Sequence, residues 1–375
     1  MNFALSDEQE LLKEAARGSL GRFSTLEAAR EALDGGELPD LWPTACDAGW
    51  PGLLISDAHG GAGLHALEAM LVFSEFGRVL ASVPLLGHLP ATFLLDVAGA
   101  AHADALARLA AGETRAAYLP AKPPSDVEAV WTADPRFGHG RRPAPVLAGG
   151  KVSGELAWVP DAPGASLLVG VAVGDDGGAR AVLIEADAEG VEIEAVRRYD
   201  ATRSLGHVTL QDAPATELEV DVDAPAAAWY LAQSLIAAES LGAVEVALEL
   251  SVHYAKERFT FGRAIGSYQA VKHELVEMLR RLENARSLMY FAGWAGQDKP
   301  EELALAASAF RVAAGAALDH ASRAQISVHG GIGATWEHDA PLYFRRAQLS
   351  RRLLGGAADA ADRVAGELLG AARGA

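Results

Sequence analysis

Texture constrains this chain more than any single motif does. Between about Ala116 and Leu218 prolines cluster (Pro120, Pro123, Pro124, Pro135, Pro143 and Pro145), and short apolar runs such as SLLVGVAV and ARAVLIEA lie between Asp-Asp-Gly-Gly and Ala-Glu-Gly turns. Short strands joined by tight turns have this pattern; helices do not. Both flanks read as helix. Ser6 followed by Gln9 forms a capping box ahead of Leu11, Leu12 and Ala15 at helical spacing. The turn SDAHGGAGL (Ser56 to Leu64) breaks the chain before a second helical run from Ala66 to Leu80, and after Asp223 and Pro225 the pattern is helical almost to the end. The order helical, β, helical predicts an α+β chain. Its expected units are an N-terminal helical domain over 1–115, a middle antiparallel β domain over 116–220 and a C-terminal helical domain over 221–375.

With 375 residues the chain is too long for one ordinary core. Its 32 Lys+Arg against 50 Asp+Glu give a formal net charge of -18, a field that repels nucleic acid and anionic membrane surfaces. Neither is an expected partner. The lone Cys46 excludes an internal disulfide and any multi-cysteine metal cluster. The opening MNFALSDEQELLKEAARG lacks the apolar region of a signal peptide, and even the apolar stretch Ala226 to Leu250 is interrupted by Gln233, Glu239, Glu245 and Glu249. A cytoplasmic location with no membrane insertion is the expectation.

Three segments carry chemistry. After Pro225, Ala232, Leu235, Ile236, Glu239, Gly242, Ala243 and Val246 share one helical face, and Glu239 is the only ionisable member. A carboxylate on such a face is either a buried structural group bonded to a neighbouring segment or, with a raised pKa, a general base. Glu245 and Glu249 point elsewhere and read as solvated. The segment Ser251 to Arg286 then holds seven bases (Lys256, Arg258, Arg263, Lys272, Arg280, Arg281, Arg286) against four acids, and YFRRAQLSRR holds four arginines and no acid. Such islands suit a diphosphate, because guanidinium forks match phosphate oxygens. Finally, Gly330, Gly331 and Gly333 in SVHGGIGATWEHD permit close backbone approach with N–H groups free to face an anion. His329 and His338 lack the spacing of a zinc helix, so no metal is assigned.

Together these segments resemble the acyl-CoA dehydrogenase family over essentially the whole chain. ERFTFGRAIGSYQAVKH is similar to its Arg-x-x-Phe-Gly-x-x-Ile-Gly-x-x-Gln signature, HGGIGATWEHDAPLYFRRA to its C-terminal Gly-Gly-x-Gly segment, and GWPGLLISDAHGGAGL to its N-terminal turn. The Trp-Glu-His-Asp wording is similar to bacterial members acting on bulky or steroid-side-chain acyl-CoA thioesters. The resemblance implies a C-terminal four-helix bundle, FAD and a subunit interface. Arg258, Thr260, Phe261 and Gln269 are expected to contact FAD across subunits, with Gly330 and Gly331 of the neighbouring subunit against the same diphosphate. It implies α,β-dehydrogenation of an acyl-CoA thioester, in which a carboxylate takes the α proton while flavin N5 accepts hydride. The reduced flavin is expected to pass electrons to an electron-transfer acceptor, and the protein to work as a homo- or hetero-oligomer with a homologous subunit.

The chain departs from the family pattern at the base. The commonest base position falls on Leu354, before Gly355, and the alternative one on the preceding long helix falls on Ala232. Glu239 lies on the same face as Ala232 but roughly 10 Å along the axis. The flavin-facing β loops are altered as well, reading LPAKPPSDVEAVW (Leu119 to Trp131) and KVSGELAWVPDAPGA (Lys151 to Ala165), and Ser327 replaces a common Gln. Two expectations follow: a dehydrogenase using Glu239 as an unusual base, or a catalytically reduced subunit that completes a partner's FAD site.

Overall fold

The computed structural model describes residues 4–119 and 144–374; most of the expected loop Leu119 to Trp131 lies outside them. The N-terminal helices are α1 (Asp7–Leu20), α2 (Thr25–Leu33), α3 (Trp42–Asp47), α4 (Ala66–Val79), α5 (His88–Val97) and α6 (Ala103–Ala110). The strands follow: β1 (Ala116–Leu119), β2 (Val146–Ala148), β3 (Lys151–Pro160), β4 (Leu167–Val173), β5 (Ala179–Glu185), β6 (Val191–Ala195), β7 (Leu205–Pro214) and β8 (Thr216–Glu217). The C-terminal part contains α7 (Ala224–Glu257), the short hairpin β9 (Phe259–Thr260) and β10 (Arg263–Ala264), α8 (Gln269–Asp298), α9 (Leu303–His329), α10 (Ala340–Ser350) and α11 (Gly356–Gly374). Helix α1 starts where its cap predicts: the Ser6 hydroxyl accepts from the Gln9 N–H, and Gln9 Oε1 accepts from the Ser6 N–H.

The sheet runs β6-β7-β3-β2-β4-β5-β8, with β1 also beside β4. It is mixed rather than purely antiparallel, since β1 and β2 both pair with β4 in parallel. The sequence of β4 explains the difference. LLVGVAV is an unbroken apolar run, as expected of a strand covered on both faces. Its Leu167, Val169 and Val171 join the large core shared with the helices, while Leu168 and Ala172 join a smaller core inside the sheet.

That large core draws on every part of the chain, including Trp50, Phe76, Val169, Leu235 and Phe310. At its centre, α7 is buried all round from Tyr230 to Val244, not along one stripe. Two glycines let α4 and α7 touch backbone to backbone. A Cβ on Gly77 would lie 1.8 Å from the Glu239 carbonyl oxygen, and one on Gly242 1.7 Å from that of Ser74. Only glycine fits either crossing point. Among the described residues, no helix is long and apolar enough to cross a membrane.

Candidate active site

The crossing of α4 and α7 fixes Glu239 in the interior, 2% exposed. Arg203, before β7, donates to one carboxylate oxygen, and Arg346 of α10 donates to the other at 2.5 Å. Arg346 also donates to Asp200 at 2.6 Å and to the Thr202 hydroxyl. Burial alone would lower the Arg346 pKa, but Asp200 and Glu239 outweigh it and leave the guanidinium firmly protonated. The same arginine, against burial, holds Asp200 below the usual carboxylate range. Two arginines and two carboxylates thus form a neutral buried quartet. Glu239, expected as a general base, thus has each carboxylate oxygen accepting from a guanidinium group, a setting that suits a structural carboxylate. No motif in the sequence announced Arg203 or Asp200 as partners; Arg346 was read as part of a surface island.

The two positions at which the family carries its base come together in space. Leu354 is 3% exposed and Ala232 0%, and the neighbour of Ala232 on α7, Gln233, donates from Nε2 to the Leu354 carbonyl at 3.1 Å. Arg311 of α9, fully buried, holds the same turn by donating to the Leu353 carbonyl at 3.1 Å. Leu354 has φ +52° and is followed by Gly355 and Gly356 at +84° and +68°, so the turn is held in a conformation leucine rarely adopts. At these two positions the chain offers apolar side chains and no carboxylate; the carboxylate beside the turn is that of Asp359, whose Oδ2 would lie 3.5 Å from a Cβ on Gly355. Nearby in the fold, an apolar cleft of about 280 Å³ between α5, α7 and α8 is lined by Leu64, Phe93, Leu231 and Leu303, with Ser56 and Asp96 at its edge.

The remaining predicted residues are exposed apart from Thr260, which is half-buried. At the end of α7, β9 and β10 pair Thr260 with Arg263, joined by a two-residue turn in which Phe261 and Gly262 both have positive φ, +51° and +79°. A hairpin this tight requires that geometry, and it lifts the Phe261 ring to 97% exposure. Arg258 caps α7 and Gln269 opens α8; among the described residues Arg258 has no carboxylate partner. Gly330, at φ +63°, and Gly331 have no heavy atom within 4 Å of a notional Cβ, so the turn is open on that side; the Gly330 N–H itself caps α9, donating to the Ile326 and Ser327 carbonyls. An open guanidinium, an open glycine turn and an uncovered aromatic ring fit the diphosphate and ring systems of FAD.

Tyr254, one turn before Arg258, stacks on His329, the residue before Gly330, with ring centroids 4.5 Å apart. The arginine motif and the glycine turn of one chain therefore lie side by side. The basic islands also shrink. Arg280 and Arg281 pair with Glu277, Arg286 with Glu283 and Glu245, and Arg351 with Asp319, while Arg346 is internal. Glu245, read as solvated, is held by Arg286 and by Arg78 at 2.7 Å. Trp158, in the altered β segment, carries the Arg198 guanidinium 4.7 Å from its ring centroid.

Comparison with known proteins agrees with this architecture. The model of the acyl-CoA dehydrogenase N-terminal domain matches residues 6–121, and that of the C-terminal domain residues 231–368. The chain is 32% identical over 351 residues to acyl-CoA dehydrogenase IpdE2 of Mycobacterium tuberculosis, covering 93% of each. It superposes on the solved steroid ACAD Tcur3481-Tcur3483 with a TM-score of 0.85 at 28% identity, covering 98% of this chain and 99% of the other. The ChsE4-ChsE5 complex of Mycobacterium tuberculosis matches in fold, with a TM-score of 0.85 at 24% identity over 98% of this chain and 99% of the other. The chain belongs to the acyl-CoA dehydrogenase family, flavin-dependent oxidoreductases whose cofactor is FAD.

Proposed function

We propose that this chain takes part in α,β-dehydrogenation of an acyl-CoA thioester as the FAD-holding subunit of a hetero-oligomer, the α-proton acceptor being supplied by a homologous partner. The observation that carries this reading is the pair of positions Ala232 and Leu354, joined through the Gln233 hydrogen bond to the Leu354 carbonyl. Both positions that would hold a carboxylate are buried and apolar, while the exposed Arg258 to Gln269 segment keeps every residue of the family signature. The relatives support it: two of the similar solved structures are named as pairs of different proteins, Tcur3481-Tcur3483 and ChsE4-ChsE5.

Bound FAD supplies the hydride acceptor. The work of this chain is then positional. Arg258 supplies a fixed positive charge against the diphosphate, the Gly330–Gly331 turn lets it approach the backbone and offers the Gly331 N–H, and Phe261 covers an apolar face of the cofactor or partner and keeps water from it. Thr260 and Gln269 flank the same hairpin and offer polar contacts. Leu354 and Ala232 take no proton, and in this reading the base comes from the other chain. An electron-transfer acceptor and a cytoplasmic location complete the proposal.

Copurification from the native host tests it. The expected result is a yellow complex with a second, homologous chain, in which neither subunit alone oxidises acyl-CoA. A yellow homo-oligomer that turns over acyl-CoA unaided would overturn the division of labour.

A further inference from the structure

Three aromatic rings beside the glycine turn have no role in the reading above. Tyr254 and His329 stack with planes 29° apart, and His329 meets His338 at a centroid distance of 4.2 Å and 54°. The column joins the last turn of α7, which carries Arg258, to the segment on either side of Gly330 and Gly331. Hydrogen bonding distinguishes the two imidazoles. His329 Nδ1 lies 2.8 Å from the Gln325 carbonyl; a carbonyl only accepts, so Nδ1 carries the proton and Nε2 is the basic nitrogen. His338 is the reverse: its Nδ1 accepts from the Ala340 N–H at 3.0 Å, so adding a proton there would break a hydrogen bond. Nε2 of His329 is left as the one basic site of the pair.

The charges around the column are few. His338 is adjacent to Asp339, whose carboxylate is taken up by Arg30 of α2, and Arg258 follows Tyr254 by one turn of α7. Burial lowers the pKa of His329, and burial together with the neighbouring His329 lowers that of His338. Without an anion on the turn, both rings are neutral near pH 7. Resting on the FAD-holding reading, we propose that the diphosphate of FAD binds at the Gly330–Gly331 turn, against the Gly331 N–H, together with a proton taken up at His329 Nε2, whose ring touches both Tyr254 and His338. The anion provides the counter-charge that the folded chain lacks.

The sign follows from linkage. A base whose pKa rises on binding makes binding tighter as pH falls through the bound-state value, and each unit of rise allows about a tenfold gain in affinity. Calorimetric titration of the cofactor-free native complex with FAD, in buffers of different protonation enthalpy near pH 6.5, measures the proton directly. The expected uptake is roughly half a proton or more per FAD, with affinity weakening about tenfold from pH 6 to pH 8. ADP, carrying the same diphosphate, is expected to give the same uptake. His329→Asn keeps a donor for Gln325 and is expected to abolish uptake and flatten the pH dependence. His338→Asn keeps an acceptor for Ala340 and is expected to retain uptake, which serves as the check if the first variant does not fold. FAD that binds with a buffer-independent enthalpy, or uptake that survives His329→Asn, overturns the proton assignment alone. FAD that fails to bind at any pH instead strikes the reading beneath it.

Discussion

Asp161 illustrates how one side chain couples the fold to pH. It sits at φ +62°, accepts from the Gly87 N–H at 2.8 Å, and burial raises its pKa from 3.8 to about 6 despite the opposing pull of Arg203. A carboxyl whose folded pKa exceeds its unfolded one binds its proton more tightly in the fold. Its effect on stability is therefore neutral below about pH 4, and grows into a penalty as pH rises to about 6. Asp161→Asn keeps the acceptor and tolerates the left-handed backbone. It should stabilise the protein by on the order of 2 kcal/mol at pH 7 and by almost nothing at pH 4, measured as the urea midpoint of both proteins across that range. Glu239 is the opposite case, a charge that must stay. Glu239→Gln leaves the two arginines under-compensated in the interior and should cost about 3–5 kcal/mol, read from the same urea midpoints. A variant of unchanged stability but no activity would restore Glu239 as the base. Its burial was legible from the helical spacing in the sequence; its role was not, because the partners Arg203 and Arg346 lie 36 and 107 residues away and local periodicity carries no information about them.

At the scale of elements, the glycine contact between α4 and α7 sets the position of everything that follows on α7. Gly242→Ala would drive a methyl group to within 1.7 Å of the Ser74 carbonyl oxygen, so the helices must separate. We expect a loss of more than about 3 kcal/mol, or failure to fold, whereas Gly18→Ala in the exposed α1, which meets nothing within 4 Å, should gain about 0.5–1 kcal/mol; chemical denaturation of the pair measures both. Helix and strand order was readable because capping, proline clusters and alternation are local signals. The all-round burial of α7 was not. One apolar stripe was legible in it, yet Gln233, Ser234 and Ser240 on its other faces are buried too: Gln233 donates to the distant Leu354 carbonyl, while Ser240 donates back to Ile236 of its own helix. The parallel pairing of β4 escaped for the same reason: an apolar run announces two covered faces but not which strands lie beside it.

For the whole molecule, the binding surface and the base region have separate fates. Arg258→Ala should leave folding intact, since the side chain is exposed, and lower FAD retained after dialysis by at least about tenfold, in keeping with loss of a charge-assisted contact. Unchanged flavin absorbance per subunit would remove Arg258 from the site. The family signature made this surface visible from sequence alone, because the residues stand close together along the chain. That the hairpin and the glycine turn of one chain are neighbours was not legible, because the Tyr254–His329 stack joins residues 75 apart in the chain. The hairpin tip has a consequence for the cell. A newly made copy holds a phenylalanine ring in water on a rigid two-residue loop, and rigid exposed aromatics are what chaperones and other nascent chains adhere to. If the ring is covered only by a companion subunit, as proposed, output of this polypeptide is expected to be kept in step with that of the companion, with surplus copies cleared first.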